Sequence, residues 1–185
     1  SGVYDDQDRL LSYGINTYTY TANGDLLTKT NNTGTTTYTH DALGNMTKVI
    51  LPDGKVVEYI YDAMNRLIAK KLNGATVQKF VYMNQLEPVA ELNADNTVKT
   101  LFVYGSKPHV PEYLIKDNEK YRVVSDERGS VRLVVKLSDS TIAQRIDYDE
   151  FGNVLTDTNP GFQPFYFAGG IYDLDTKLVK FGARD

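Results

Sequence analysis

Apolar and polar residues alternate along most of this chain. In the run from 141 to 148, Ile142, Ile146 and Tyr148 fall on one side of an extended backbone, and Arg145 and Asp147 fall on the other. This period of two predicts β-strands with one apolar and one polar face. No helical stripe of useful length competes with it, so the pattern predicts an all-β protein.

The run from 131 to 137 is predicted to follow the same rule. Four apolar residues there are expected to share one face of a strand, with Arg132 and Lys136 on the other: Val131, Leu133, Val135 and Leu137. Turn residues separate such runs every 8–12 residues, a spacing typical of all-β folds.

One turn motif recurs along the chain. Five segments resemble Tyr-Asp-x-x-Gly, namely YDDQDRL, YTANGDL, HDALGNM, YDAMNRL and YDEFGNV, which begin at residues 4, 20, 40, 61 and 148. From Tyr20, the steps to His40, Tyr61 and Tyr82 are 20, 21 and 21 residues, although the segment after Tyr82 has lost the turn signature. Such regular spacing indicates a repeated unit of structure.

The residue types of the motif predict a hairpin turn. Asp at the first turn position accepts hydrogen bonds from backbone N–H groups two or three residues ahead, and Gly or Asn three residues after it tolerates positive φ. The preceding Tyr is predicted to end one strand. The predicted repeat residues are Tyr20, Gly24, His40, Asp41, Gly44, Tyr61, Asp62, Asn65, Tyr82, Tyr148, Asp149 and Gly152.

A second series of turns lies about midway between the first. It comprises Asn31–Gly34, Pro52–Gly54, Asn73-Gly74 and Asp95-Asn96. Asn-Gly between strand-like runs is the strongest short hairpin signal. Each repeat is therefore predicted to be a β-hairpin of about twenty residues, and the whole chain a continuous antiparallel hairpin meander.

Composition excludes several classes of function. The formal net charge of -4 and a pI near 5.2 argue against a nucleic-acid partner or an anionic membrane surface. Cysteine is absent, which excludes disulfides and thiolate metal sites. No apolar run approaches the roughly 20 residues that cross a bilayer, so no membrane insertion is expected. No signal peptide is recognised in this sequence.

These motifs resemble the YD-repeat, or Rhs (rearrangement hotspot), family. The repeats carry the resemblance in the N-terminal half, and VSDERGSVRLVV, YDEFGNV, FYFAGGIYD and KFGARD resemble the Rhs repeat-associated core segment in the C-terminal third. The resemblance covers nearly the whole chain. It implies a long antiparallel sheet that curves and spirals into a hollow shell. In bacterial members this shell surrounds a C-terminal toxin or effector, and in animal relatives it belongs to adhesion proteins.

The resemblance also divides the chain. We expect residues 1–2 to be a cloning remnant, 3–104 to form YD-repeat hairpins, 105–120 to be a loop or irregular connection, and 121–185 to be the Rhs core segment, continuous with the same sheet. The end at FGARD suggests a piece of a longer, secreted or cell-surface bacterial protein. Its predicted role is structural: it would encapsulate and present the C-terminal effector, its expected partner in the parent.

An aspartyl autoprotease is implied at the C-terminal end. The Rhs core of the family releases its effector through Arg-Asp and a second Asp about a dozen residues later. Arg184 and Asp185 match the first half only, and the second Asp and the bond to be cut would lie beyond Asp185. Two carboxylates are needed, one to activate water and one to protonate the scissile group. This chain alone is therefore expected not to be an enzyme. Asp185 could also be a solvated terminus.

Other chemistry is predicted to be absent or secondary. His40 occupies a repeat Tyr position, and His109 has no partner at metal-ligand spacing, so neither a metal nor a cofactor is expected. The 14 tyrosines leave open a cell-surface carbohydrate- or protein-binding module in place of a scaffold. Exposed sheet edges are expected to promote self-association.

Overall fold

The computed structural model describes residues 2–182, and Arg184 and Asp185 lie outside them. Sixteen strands form one sheet in which strand order follows chain order, and every described pair of neighbours is antiparallel. The predicted all-β fold, an antiparallel hairpin meander, is confirmed. Among residues 2–182 there is no α-helix, only a short 3-10 turn at Phe167–Gly169.

The strands have the following bounds: β1 Val3–Tyr4, β2 Leu10–Tyr13, β3 Asn16–Tyr20, β4 Leu26–Asn31, β5 Gly34–His40, β6 Met46–Ile50, β7 Val56–Tyr61, β8 Leu67–Leu72, β9 Ala75–Tyr82, β10 Pro88–Leu92, β11 Val98–Val103, β12 Tyr113–Lys116, β13 Glu119–Ser125, β14 Val131–Lys136, β15 Ile142–Tyr148, β16 Val154–Asp157, β17 Ile171–Tyr172 and β18 Val179–Lys180. The last two form a separate two-stranded hairpin. The connection expected over 105–120 thus contains a loop up to residue 112, then β12 and the start of β13.

The chain divides into two compact units. The first comprises Ser1–Ile60 and Lys70–Thr76, and the second comprises Tyr61–Ala69 and Val77–Asp185. The buried apolar residues of the first unit include Tyr38, Val49 and Val57, on β5, β6 and β7. On β3, β4 and β5, cross-strand threonine pairs bind each other through their hydroxyls, as Thr19 and Thr28 do at 2.6 Å.

The second unit buries a longer apolar row. Phe102, Leu114, Val134 and Ile146 are almost fully inaccessible to solvent. The segment after β16 packs against this row, and the ring of Phe165 meets that of Phe102 edge to face with centroids 4.9 Å apart. The C-terminal segment therefore contributes directly to the core of this unit.

A β-bulge follows the turn in each of seven hairpins. The residue before the turn pairs with the residue six positions later, and the next residue along is left unpaired. In one example, Tyr20 pairs with Leu26 and Thr19 with Thr28, so Leu27 is the extra residue. An extra residue shifts the alternation of faces by one.

The bulge explains one wrong prediction. Val131 pairs with Ser125 but Leu133 pairs with Val124, so the extra residue lies between them. Val131 and Val134 are buried, whereas Leu133 and Val135 are only half-buried. Val131, Leu133, Val135 and Leu137 therefore do not share one face, because the bulge interrupts the period of two.

Candidate functional site

Five turns share one arrangement of hydrogen bonds around an aspartate. We call these five segments the Asp-turns: 5–9, 41–45, 62–66, 126–130 and 149–153. In each, one carboxylate oxygen accepts backbone N–H bonds from residues two and four positions ahead, rather than two or three as predicted. For Asp62 the donors are Met64 at 2.9 Å and Arg66 at 3.0 Å.

The second carboxylate oxygen binds a side chain. Arg66 donates from Nε and Nη2 to Asp62 Oδ2 at 2.7 and 2.6 Å, and Arg9 contacts Asp5 in the same way. In turn 41–45 the donor is the amide of Asn45, at 3.0 Å from Asp41. The Asn45 side-chain hydrogen bond is the main reason that the pKa of Asp41 is lowered.

Positive φ occurs at the fourth turn position. Four predicted repeat residues have this backbone conformation: Gly24 (φ 91°), Gly44 (82°), Asn65 (59°) and Gly152 (89°). The N–H of each donates to the carbonyl three residues earlier, which closes the turn. Only Gly, Asn and a few other residues adopt this φ at low cost.

The tyrosine that ends a hairpin contacts the preceding Asp-turn. The hydroxyl of Tyr82 donates to the carbonyl oxygen of Leu67 at 3.0 Å, and the guanidinium carbon of Arg66 lies 5.3 Å from the centre of the Tyr82 ring. The hydroxyl of Tyr82 thus binds the first strand residue after the turn, and the face of its ring contacts the arginine of the turn. We call this arrangement the tyrosine clasp.

The same clasp occurs at two further tyrosines within residues 2–182. The hydroxyl of Tyr20 donates to the carbonyl of Leu10, and its ring lies under Arg9. The hydroxyl of Tyr148 donates to the carbonyl of Val131, and its ring lies under Arg132. Tyr104 makes the hydroxyl bond alone, to the carbonyl of Pro88 at 2.9 Å. Sequence reasoning missed this contact, although the Arg in YDDQDRL and YDAMNRL was a signal for it.

Burial and hydrogen bonds act on different groups of the clasp. Burial raises the pKa of Tyr82 and of Tyr148, so both phenols remain neutral donors over the physiological range. Asp62 is held as a carboxylate: burial acts to raise its pKa, but hydrogen bonds from the Arg66 side chain and backbone and from Met64 outweigh burial and lower it.

The remaining predicted residues have other surroundings. His40 pairs with Met46 at the end of β5, and its Nδ1 is buried with no hydrogen-bond partner in the described part of the chain. The ring of Tyr61 lies under the ammonium of Lys180, at 4.6 Å. The proposed autoprotease residues, Arg184 and Asp185, are outside the described residues. Within 2–182, no group of three His, Cys, Asp or Glu residues could hold a metal. None of the described helices is long and apolar enough to cross a membrane.

Comparisons with known proteins identify the family. Residues 2–185 match the family model described as Teneurin YD-shell. Teneurin-1 of Gallus gallus is 29% identical over 187 residues, which cover 98% of this chain and 7% of the teneurin. The tRNA3(Ser)-specific nuclease WapA of Bacillus spizizenii is 30% identical over 156 residues, covering 82% of this chain and 7% of that protein.

A solved structure shares the fold. The chain resembles part of the Photorhabdus luminescens Tc holotoxin pore with a TM-score of 0.58 and 14% sequence identity, over 91% of this chain and 11% of that one. The sequence therefore spans a small part of the length of each relative that it matches. The predicted YD-repeat resemblance is confirmed, and the chain belongs to the Teneurin YD-shell family.

Proposed function

We propose that this chain is a structural segment of a YD-repeat shell that encloses and presents a C-terminal effector in a longer, secreted or cell-surface protein. The observation that carries the proposal is the tyrosine clasp, in which the end of one hairpin binds the turn of the hairpin before it. Contacts of this kind stiffen a sheet. In this function the chain is a scaffold, with its own effector segment as partner.

The relatives support this proposal. One is named a nuclease and another a toxin, and each is much longer than this chain. A shell segment joined to a toxic domain is consistent with both. The alternative, a carbohydrate- or protein-binding module built on the repeat tyrosines, has less support. The hydroxyls of Tyr20, Tyr82 and Tyr148 already donate to backbone carbonyls, and their rings lie under arginines.

Protease protection tests enclosure. In a parent chain that carries the proposed effector after Asp185, the effector segment should resist a non-specific protease that digests it readily when expressed alone. Tyr82→Ala and Tyr148→Ala, which each remove a clasp, should shorten its lifetime about tenfold or more through local opening. Tyr13→Ala, at an exposed tyrosine, serves as the control. Equal digestion of the segment alone and within the parent would refute enclosure.

We further propose that Arg184 and Asp185 contribute to self-cleavage of the parent. The proposal rests on the family resemblance of the GARD sequence. Asp185→Asn in the parent should slow release of the downstream segment about a hundredfold or more, since a general acid–base residue contributes that much. Asp6→Asn, in an exposed turn, should release it at the wild-type rate. Intact-mass analysis over time measures both, and unchanged cleavage in Asp185→Asn would exclude a catalytic role.

A further inference from the structure

The contact between Lys180 and Tyr61 joins the C-terminal hairpin to the repeats. Lys180 ends β18, and only 7% of its surface is accessible to solvent. Its ammonium lies 4.6 Å from the centre of the Tyr61 ring, and both residues belong to the second unit. An ammonium that is largely removed from water gains most from an aromatic face.

The cation over the Tyr61 ring belongs to a different part of the chain from the cations of the clasps. In the three clasps the cation over the ring is an arginine of the preceding Asp-turn or of the strand that it begins: Arg9 over Tyr20, Arg66 over Tyr82 and Arg132 over Tyr148. The Asp-turn that precedes Tyr61 in the sequence has Asn45 at the position of Arg9 and Arg66. The amide of Asn45 is bound to Asp41. The cation over Tyr61 comes instead from the C-terminal hairpin.

The hairpin also contacts the segment that precedes it. The N–H of Tyr172 donates to the carbonyl of Pro164 at 2.9 Å, and the rings of Tyr166 and Tyr172 are 4.4 Å apart. Gly170 permits the close approach of β18, because a Cβ there would clash with Val179 Cγ1. These contacts shape the hairpin, and Tyr172 also packs against the core cluster of Ile146, Tyr148 and Tyr166.

A cleft interrupts packing between the hairpin and the repeats of the second unit. Its volume is about 380 Å³, and residues of both parts line it: Arg66, Tyr82 and Leu86 from the repeats, and Ile171, Phe181 and Gly182 from the hairpin and its end. Because apolar packing is discontinuous here, individual contacts beside the cleft matter more for holding the hairpin in place.

We propose that the Lys180–Tyr61 contact anchors the C-terminal hairpin to the repeats, with Lys180 replacing the arginine that this repeat lacks. Lys180 has two effects at once: it completes the cation–ring pair of Tyr61, and it fixes the position of β18. Lys180 is thus a positioning residue. The inference rests on contacts within the second unit and stands whether or not the parent encloses an effector.

Hydrogen exchange of the full chain, followed by mass spectrometry, tests the anchor. Lys180→Met and Tyr61→Leu should each raise the exchange rate of amides 171–180 about tenfold, while strands β13 and β14 keep their protection. Lys180→Arg and Tyr61→Phe preserve a cation and a ring, so both should exchange almost as the wild type does. In the double variant Lys180→Met/Tyr61→Leu, exchange of the hairpin should be no faster than in either single variant.

Arg9→Met is the matched control. It removes the same kind of contact from Tyr20 in the first unit and should leave the hairpin amides unchanged. Unchanged hairpin exchange in Lys180→Met, or an equal rise across the whole chain, would overturn the proposal. A measurement on the wild type needs no variant to fold: the side-chain methylene protons of Lys180 should be shifted upfield by the Tyr61 ring current. Unshifted resonances would contradict the contact itself.

Discussion

The hydroxyl of Tyr82 and the carbonyl oxygen of Leu67 are 3.0 Å apart, although fifteen positions separate the two residues. This bond ties the end of β9 to the start of β8, at the first strand residue after an Asp-turn. The ring of the same tyrosine lies under Arg66 of that turn. One side chain therefore joins two successive hairpins in both a polar and an aromatic contact.

Tyr82→Phe should lower the free energy of unfolding by about 1–2 kcal/mol, because it leaves the carbonyl of the buried residue Leu67 without this donor. Tyr13→Phe is the control, since Tyr13 is largely exposed. Urea unfolding followed by tyrosine fluorescence measures both. Equal midpoints for the two variants would show that the hydroxyl bond does not stabilise the fold.

Acid should destabilise the protein through its Asp-turns. Hydrogen bonds lower the pKa of Asp5, Asp41, Asp62 and Asp149 below their ordinary values. The unfolded chain therefore binds protons more readily than the folded one. The ionised aspartates stabilise the fold fully above about pH 4, and this stabilisation is lost as the pH falls through their lowered folded-state pKa values. Urea midpoints between pH 7 and pH 2 should decrease over that lower range.

Asp62→Asn isolates one of these groups. Its urea midpoint should be lower than that of the wild type at pH 7, and the difference should narrow toward pH 2, where the wild-type carboxylate is protonated. Asp6→Asn is the control, because Asp6 is an exposed residue of the Asp-turn 5–9; its urea midpoint should match that of the wild type at each pH. A difference that stays constant from pH 7 to pH 2 would contradict this role for ionised Asp62.

Substitution of two glycines distinguishes the stability cost of a strained backbone from that of a steric clash. Gly24 and Gly152 have nearly the same φ, 91° and 89°. A Cβ on Gly24 meets nothing within 4 Å, whereas a Cβ on Gly152 would lie 2.6 Å from Phe167 Cδ1. Gly24→Ala should cost about 1 kcal/mol for the left-handed backbone alone. Gly152→Ala should cost about 1–3 kcal/mol more, because the ring must move. Equal urea midpoints for the two variants would exclude the contact.

A buried carboxylate in the second unit depends on one lysine. Glu91 is 1% exposed, and its Oε1 accepts bonds from Lys99 Nζ and Gln78 Nε2, each at 2.8 Å. Lys99→Met should destabilise the fold by about 2–3 kcal/mol, because the buried charge loses its ion-pair partner. The exposed Lys55–Asp53 pair provides the control: Lys55→Met should cost less than about 1 kcal/mol.

A second prediction concerns the same Lys99–Glu91 ion pair. Replacing both partners, in Lys99→Met/Glu91→Leu, should recover most of the stability lost by Lys99→Met. Thermal unfolding of the two single variants and the double variant completes the cycle. If the losses are simply additive, the lysine and the carboxylate do not interact measurably.

The two outer strands are expected to promote self-association. Val3 and Tyr4 of β1 and Leu155 of β16 are largely exposed, and strands at the edge of a sheet offer unpaired backbone groups. Tyr4→Lys and Leu155→Lys should reduce any concentration-dependent increase in sedimentation coefficient. Leu43→Lys removes an equally exposed apolar residue from a turn. If Leu43→Lys reduces association as much as the two edge variants do, exposed apolar surface rather than edge pairing is responsible for the association.

The hairpin order could be predicted from the sequence because its signals are local. Asp, Gly and Asn determine turn conformation through bonds to residues a few positions away, so YDAMNRL and YDEFGNV indicate turns without further context. The alternation of short strands between such turns then leaves an antiparallel meander as the simplest arrangement.

The bulges and the clasps could not be predicted in this way. One extra residue after a turn reverses the faces of the following strand, and for that reason Leu133 is only half-buried while Val134 is buried. The partner of Tyr82 is a backbone carbonyl, which any residue supplies and no motif marks. The Lys180–Tyr61 contact joins residues far apart in the sequence, so only the fold reveals it.

The tyrosine clasp has a consequence for how the protein unfolds. Because each hairpin pairs with its neighbours in the sheet, the folding energy of each depends on whether those neighbours are formed, as in linear repeat proteins. Damage to one clasp should therefore weaken adjacent hairpins more than remote ones. Unfolding is expected to begin where a tyrosine has no cation over its ring, and the order in which the hairpins open is then determined by single side chains.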